Sequence, residues 1–266
     1  MPEWNHLLDL PPYPAGGYAM LADRIAALLR TRSDVLLVQA EAVVALEAAA
    51  ASLASPAVHT LNVVTSPYGD WFGGWLRHGG ADVTDLHAES GLPVTVEAFA
   101  GALAAQPDTN LVALVHAESA TGILNPLPGI ARLAREHGAL LVVDAVASVG
   151  GHALDVDALG IDIAVIGPQK ALGGPSGVSA LSVSARAWEA IDRPDAPTQS
   201  VLSLADLKRN WLDTGRGALQ GMPSALEFFA LEAALDRVEA EGLDAVVARH
   251  ALAAEAPRAG LRALGA

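Results

Sequence analysis

The segment GPQKALGGPSG carries Lys170, one of two lysines among the 16 basic residues of this 266-residue chain, the other being Lys208. It follows the apolar run DIAVIG and opens a Gly/Pro-rich loop whose backbone can approach a ligand closely. A lysine at such a strand end is expected to be desolvated, and a desolvated amine deprotonates and forms a Schiff base with a carbonyl. The competing reading is an ordinary loop lysine in an Arg-rich chain. Asp144 is the sole polar residue of ALLVVDA and stands at its C-terminal end. An aldehyde cofactor with a pyridine ring needs a carboxylate there to keep the ring nitrogen protonated. Taken alone, Asp144 reads equally well as the N-cap of a following helix.

Further candidates sit at other strand ends. VHAESATGILNPL places His116, Glu118 and Ser119 after an apolar run, with Thr121 and Gly122 allowing a tight turn. A hydroxyl at Ser119 can bond a ring oxygen, although turn chemistry alone accounts for the segment, and His116 is expected to be a satisfied core histidine. Tyr68, in TSPYGDWFGGW, is available to stack on a flat ring, whereas Trp71 and Trp75 are expected in the core. The eight histidines show no ligand spacing, so no metal is expected, and no Gly-rich nucleotide loop with its following lysine is present.

These residues need elements to position them. Short β-branched runs at 35–39, 59–65, 81–86, 110–117, 139–145, 162–167 and 177–184 alternate with Ala/Leu-rich helical stretches at 18–31, 41–53, 69–78, 95–105, 127–137 and 186–193. Helices at 203–212, 223–241 and 243–258 follow a Pro-containing loop. The pattern predicts an α/β fold with ligands beyond the carboxyl ends of the strands. With 52% hydrophobic but only 5% aromatic residues, the core must be built from Ala, Val and Leu. A net charge of −14 argues against nucleic acid and anionic membrane surfaces as partners. The absence of cysteine removes disulfides, thiolate catalysis and cysteine-ligated metals, and suits a cytoplasmic location. No apolar run reaches the ~18 residues of a membrane span, and MPEWNHLLDLPPYP lacks signal-peptide features.

HAESATGILNPL, LLVVDAVASVGG and GPQKALGGPSG, in that order, resemble the class V (fold type I) pyridoxal-phosphate-dependent aminotransferases, from about residue 18 onward. The resemblance implies a three-layer sandwich around a mostly parallel, about seven-stranded sheet. It implies that Lys170 bears the Schiff base, Asp144 pairs with the pyridine nitrogen, Val146 packs behind the ring and Tyr68 in front of it. Ser119 would bond the ring 3-oxygen, and Gln169 would lie near the cofactor's 5′ end. It implies a cofactor-binding large domain at 18–242, preceded by a short segment at 1–17. Residues 243–266 would form a connecting helix to a small C-terminal domain that the sequence lacks. That domain supplies the family's carboxylate-gripping arginine, for which Arg216 in TGRGALQG is a substitute candidate. The partners implied are a small-molecule amino donor, a 2-oxo acid (pyruvate or glyoxylate) and a second copy in a homodimer.

The stretch VQAEAVVALEAAAASLASP looks most like the pyridoxamine–pyruvate branch of that family, which uses unphosphorylated pyridoxal and pyridoxamine as substrates. Glu41, Ala42 and Val43 stand where the family pattern has a Ser-Gly-Thr-type turn that holds phosphate on a helix N-terminus. Met222, in GMPSALEF, stands where a phosphate-contacting threonine from the partner is expected. A carboxylate at position 41 would repel a dianion and accept a hydrogen bond from a hydroxymethyl group. It is also a common first-turn residue of an exposed helix. Three alternatives stay open: a phosphate-using enzyme of alanine/serine–glyoxylate/pyruvate type, a truncated and catalytically reduced pyridoxal-binding protein, and an unrelated α/β enzyme with a chance lysine.

Overall fold

The computed structural model describes residues 10–265; residues 1–9 of the N-terminal segment and Ala266 lie outside the described residues. Seven strands of the described residues form one sheet: β1 (Asp34–Val38), β2 (His59–Val64), β3 (Asp82–His87), β4 (Leu111–Val115), β5 (Leu140–Asp144), β6 (Ile163–Ile166) and β7 (Ser179–Val183). Their order across the sheet is β1-β7-β6-β5-β4-β2-β3. β7 runs antiparallel to both of its neighbours, and every other pairing is parallel. The expected α/β sandwich with a mostly parallel sheet is therefore what the chain forms.

Among the described residues, ten α-helices accompany the strands: α1 (Ala15–Leu28), α2 (Ala42–Leu53), α3 (Pro67–His78), α4 (Val96–Ala105), α5 (Leu127–His137), α6 (Val156–Leu159), α7 (Ala185–Ile191), α8 (Leu204–Leu207), α9 (Ala225–Glu241) and α10 (Leu243–Ala263). Every position of β4, β6 and β7 is buried, as it must be when helices cover both faces. α2 and α3 pack on each other and on the strands; α5 covers β5, and α1 covers β1 and β7. Ala45, Ala48, Ala49 and Ala50 of α2 are all buried, small side chains that let the helix approach the sheet closely. No helix among the described residues is long and apolar enough to cross a membrane.

Three elements differ from the sequence reading. α6 is a single turn, too short for periodicity to reveal, made by the Asp155 side chain accepting from Ala158 N–H and ended by Gly160 in the left-handed region at φ 68°. The helix expected over 203–212 begins as α8 and widens into a π-helical turn, Lys208–Leu212, which buries Trp211. The indole N–H of Trp211 then reaches the Gly217 carbonyl at 2.8 Å. α10 continues beyond residue 258, with Pro257 inside it.

α3 carries Tyr68 and is held by a buried polar clasp. Asn62 of β2 donates to the Gly69 carbonyl at 2.9 Å and to Asp85 of β3 at 2.8 Å, while Arg77 pairs with the same Asp85. At Gly69 the helix lies so close to β2 that a Cβ would meet the Val63 carbonyl oxygen at 2.9 Å. Backbone cannot swing aside as a side chain can. Gly69→Ala is expected to lower stability by about 1–3 kcal/mol, read as a fall in the urea midpoint with an unchanged m-value.

Candidate active site

Register brings the candidate residues together. Asp144, the last residue of β5, pairs with Val115 at the end of β4 and with Val165 near the end of β6. Because these strands are parallel, the loops following all of them leave the same edge. There Glu41, Ala42, Val43, Tyr68, Ser119, Asp144, Val146 and Lys170 line one cleft, together with Leu46, Val115, Ala117, Glu118 and Ala147.

Asp144 is 9% exposed, and its Oδ1 accepts from Val146 N–H at 2.9 Å. Burial raises its pKa from 3.8 to about 7; the Val146 N–H opposes this, the Glu118 and Glu41 carboxylates add to it, and Lys170 opposes it more weakly. The carboxyl therefore lacks a sufficient counter-charge from the protein. No regular helix follows it, since 146–148 form a turn, so the helix N-cap reading does not hold.

Lys170 lies beyond the end of β6, with Nζ 3.3 Å from Ser119 Oγ. It is exposed at the rim of the cleft, so the expectation of a desolvated amine is corrected. The strand before it is buried, but the loop after β6 lifts the side chain out of the sheet. That loop is clamped by α9: Arg237 donates to the Gly173 carbonyl at 2.6 Å and Glu227 accepts from Gly177 N–H at 2.8 Å.

Glu41 is the N-cap of α2. Its Oε2 accepts from Val43 N–H at 2.8 Å and its Oε1 from Gln169 Nε2 at 2.6 Å. Gln169 thus reaches the site through Glu41, and its own Oε1 is buried without a partner. Ser66 caps α3 by accepting from Tyr68 N–H at 3.2 Å. Trp71, expected in the core, is 48% exposed and packs edge-on against Tyr68 at 5.4 Å. Helix α3 is amphipathic, and its buried side is Gly69, Phe72, Gly73 and Leu76, which leaves Trp71 on the other face.

His116 is buried as expected, yet its Nδ1 has no partner. Burial, and then the nearby His152, lower its pKa to about 4, so it is neutral at ordinary pH. The turn after it forms as read, with Gly122 at φ 74°. Arg216 is engaged elsewhere, in a two-pronged pair with Asp23 at 2.7 and 3.0 Å, and does not line the cleft. Met222 is 97% exposed. Sequence reasoning passed over Thr65 and Asn125, which brace Glu118 from below. Neither has a chemical neighbour in sequence to mark it, although the NP pair at 125–126 signals a turn.

Residues 18–266 match the family described as aminotransferase class-V. The chain belongs to the class V aminotransferases. Among relatives of this family, the pyridoxamine–pyruvate transaminase of Mesorhizobium japonicum is 36% identical over 249 residues, which are 93% of this chain and 63% of that protein. An uncharacterised aminotransferase of Methanocaldococcus jannaschii is 33% identical over 92% of this chain and 64% of its own length. This chain thus spans somewhat under two thirds of both. The crystal structure of pyridoxamine–pyruvate aminotransferase from Mesorhizobium loti matches with a TM-score of 0.90 at 36% identity, covering 100% of this chain and 69% of that one. An alanine–glyoxylate aminotransferase from Nostoc matches with a TM-score of 0.84 at 28% identity, covering 94% and 68%.

The buried Asp144 of this class V chain has a measurable signature. Its native pKa lies above the unfolded value, so between pH 4 and pH 7 the native state holds a proton that the unfolded state has released. Its contribution to stability therefore falls as pH rises through that window. Asp144→Asn keeps the acceptor for Val146 N–H without ionising. In the ligand-free protein the variant is expected to gain stability relative to the parent from pH 4 to 7, levelling above that at about 4 kcal/mol at most. Urea unfolding of both proteins across pH checks this; a difference that does not vary with pH would contradict it.

Proposed function

We propose that this chain carries the cofactor site of an aminotransferase that moves an amino group through a pyridoxal compound held by Lys170, of pyridoxamine–pyruvate type. The observation that carries the reading is the convergence of Asp144, Lys170, Ser119 and Tyr68 on one cleft. Class V membership supports it, as this family depends on pyridoxal phosphate. The residues fit such a group. Asp144 is a buried carboxyl whose raised pKa calls for a cationic donor. Tyr68, Val146, Leu46 and Ala147 offer apolar surface for a flat ring.

Bound there, a pyridoxal group supplies an aldehyde carbon for the amine and a protonated ring that withdraws electrons from the reacting carbon. Asp144 would hold the proton on the ring nitrogen. Ser119 Oγ, 3.3 Å from Lys170 Nζ, would bond a ring oxygen and so help to orient the group toward the amine. Tyr68 and Val146 would hold the ring, and Lys170 Nζ, the one amine among the residues lining the cleft, would carry the proton to and from the reacting carbon. All these residues lie within 18–242, the span we assign to the cofactor-binding domain. The amino acceptor is a 2-oxo acid, pyruvate by preference.

Glu41 favours the unphosphorylated cofactor. The N-terminus of α2, where a phosphate would take free N–H groups, is capped by this chain's own carboxylate. Both Glu41 oxygens are engaged, one with Val43 N–H and one with Gln169, so the charge is fixed in place. A dianionic phosphate would meet that charge, whereas a hydroxymethyl group can donate to it.

Two measurements test this reading. Pyridoxal is expected to give visible absorbance that borohydride reduction fixes on Lys170, and Lys170→Ala is expected to lose both; absorbance that survives in the variant would refute the assignment. Titration with pyridoxal and with its phosphate should show tighter binding of pyridoxal, with Glu41→Gly moving the ratio toward the phosphate by about tenfold, equivalent to ~1.4 kcal/mol. Tighter binding of the phosphate by the parent would instead favour a phosphate-using enzyme. Adduct formation without turnover of an amino donor and pyruvate would favour a binding protein.

A further inference from the structure

Glu118 lines the same cleft but has no role in the reading above. It is 2% exposed, and its Oε2 is buried without a partner. Its Oε1 accepts from the Thr65 hydroxyl at 2.7 Å. Backbone partners settle the direction of this chain of bonds. Asn125 Oδ1 accepts from Val94 N–H at 3.2 Å, and its Nδ2 donates to the Val115 carbonyl at 2.8 Å and to Thr65 Oγ1 at 2.9 Å. With Asn125 donating to it, the Thr65 hydroxyl directs its own hydrogen to Glu118. The chain of donors from Asn125 through Thr65 thus ends on Glu118, whose side chain acts in turn on Asp144 across the cleft.

The same residue ties two walls of the cleft together. Glu118 N–H bonds the Ile123 carbonyl and the Glu118 carbonyl accepts from Gly122 N–H, both at 2.8 Å, so Glu118 anchors the turn that bears Ser119. Thr65 directly precedes Ser66, the cap of the helix that bears Tyr68. One hydrogen bond therefore links the Ser119 turn to the start of α3.

Charge adds a second effect. The ionisable groups that line the cleft around Glu118 are Asp144 from the end of β5, Lys170 from the loop after β6, Glu41 from the start of α2 and Tyr68 from α3. His116, two residues before Glu118, is neutral, with His152 beside it. Three carboxyl groups thus face a single amine.

We infer that Glu118 is a positioning residue: held by Thr65 and Asn125, it fixes the Ser119 turn against α3 and keeps a negative charge in the cleft that favours the cationic form of a ligand bound by Asp144 and Lys170. The inference rests on the proposed pyridoxal reading of Lys170. It concerns neither the covalent bond nor the choice between phosphorylated and free cofactor.

Glu118→Gln separates charge from shape, because its amide oxygen still accepts from Thr65 while the charge is gone. Titrating the visible absorbance of the pyridoxal-loaded chain against pH, the variant's midpoint is expected to fall by about half a unit or more, since a lost neighbouring anion destabilises the protonated adduct. Glu118→Asp, which keeps the charge, is expected to restore most of that shift. Thr65→Val removes the brace without removing the carboxylate and is expected to weaken pyridoxal binding about threefold or more, the loss of one hydrogen bond to a charged group; it tests the inference even where Glu118→Gln fails to fold. A Glu118→Gln midpoint equal to the parent's, or unchanged pyridoxal affinity in Thr65→Val, overturns the inference. A parent that gives no visible absorbance with pyridoxal or its phosphate overturns the Lys170 reading and this inference with it, whereas a parent that colours normally confines any failure to Glu118.

Discussion

The site depends on parallel strand pairing that ends five strands at one edge of the sheet. Asp144 is level with Val115 and Val165 across β4, β5 and β6, so whatever follows each strand emerges beside its neighbours. β1 and β2 run in the same direction and deliver Glu41 and Tyr68 to that edge. The reversal of β7 has its own consequence. Because β7 is antiparallel to β6, the chain between them turns back at the same edge instead of crossing over the sheet. The segment that holds Lys170 is therefore a loop at the cleft, which α9 can clamp through Arg237 and Glu227.

Electrostatics in the cleft run against stability. Asp144 is buried at the end of an apolar strand, and Glu118 and Glu41 add to its difficulty in ionising. A core optimised for folding alone would place an apolar residue there, since an unpaired buried charge costs several kcal/mol. The rest of the sheet offsets that cost with strands buried on both faces and with alanine-lined contacts between α2 and the sheet. Strongly perturbed groups gathered in a cleft at this cost to stability are the mark of a functional site.

The elements were legible because their periodicities are strong: apolar runs for the strands and Ala/Leu stretches for the long helices. What periodicity did not reveal was short or local, such as the single turn of α6 and the π-helical turn that buries Trp211. Trp71 shows why residue type misleads. A tryptophan is expected in a core, but α3 turns Gly69 and Gly73 toward β2, where a Cβ would crowd Val63 and Asn62, and so leaves Trp71 outward against Tyr68. Arg216 is a second case, since an arginine free in sequence proves to be held by Asp23, nearly two hundred positions away.

By itself the sequence determined the α/β class, the strand ends that bear Lys170, Asp144 and Ser119, and the acidic residue at the start of α2, because each of these depends on local pattern and residue chemistry. Tertiary structure alone decided that Glu41 uses both oxygens on Val43 and Gln169, that Lys170 stands exposed beside Ser119, and that Thr65 and Asn125 support Glu118. The physical reason is one of range. Strand and helix preferences act over a few residues, whereas hydrogen bonds between residues 41 and 169 or 65 and 118 exist only once the parallel register has brought distant loops to the same edge.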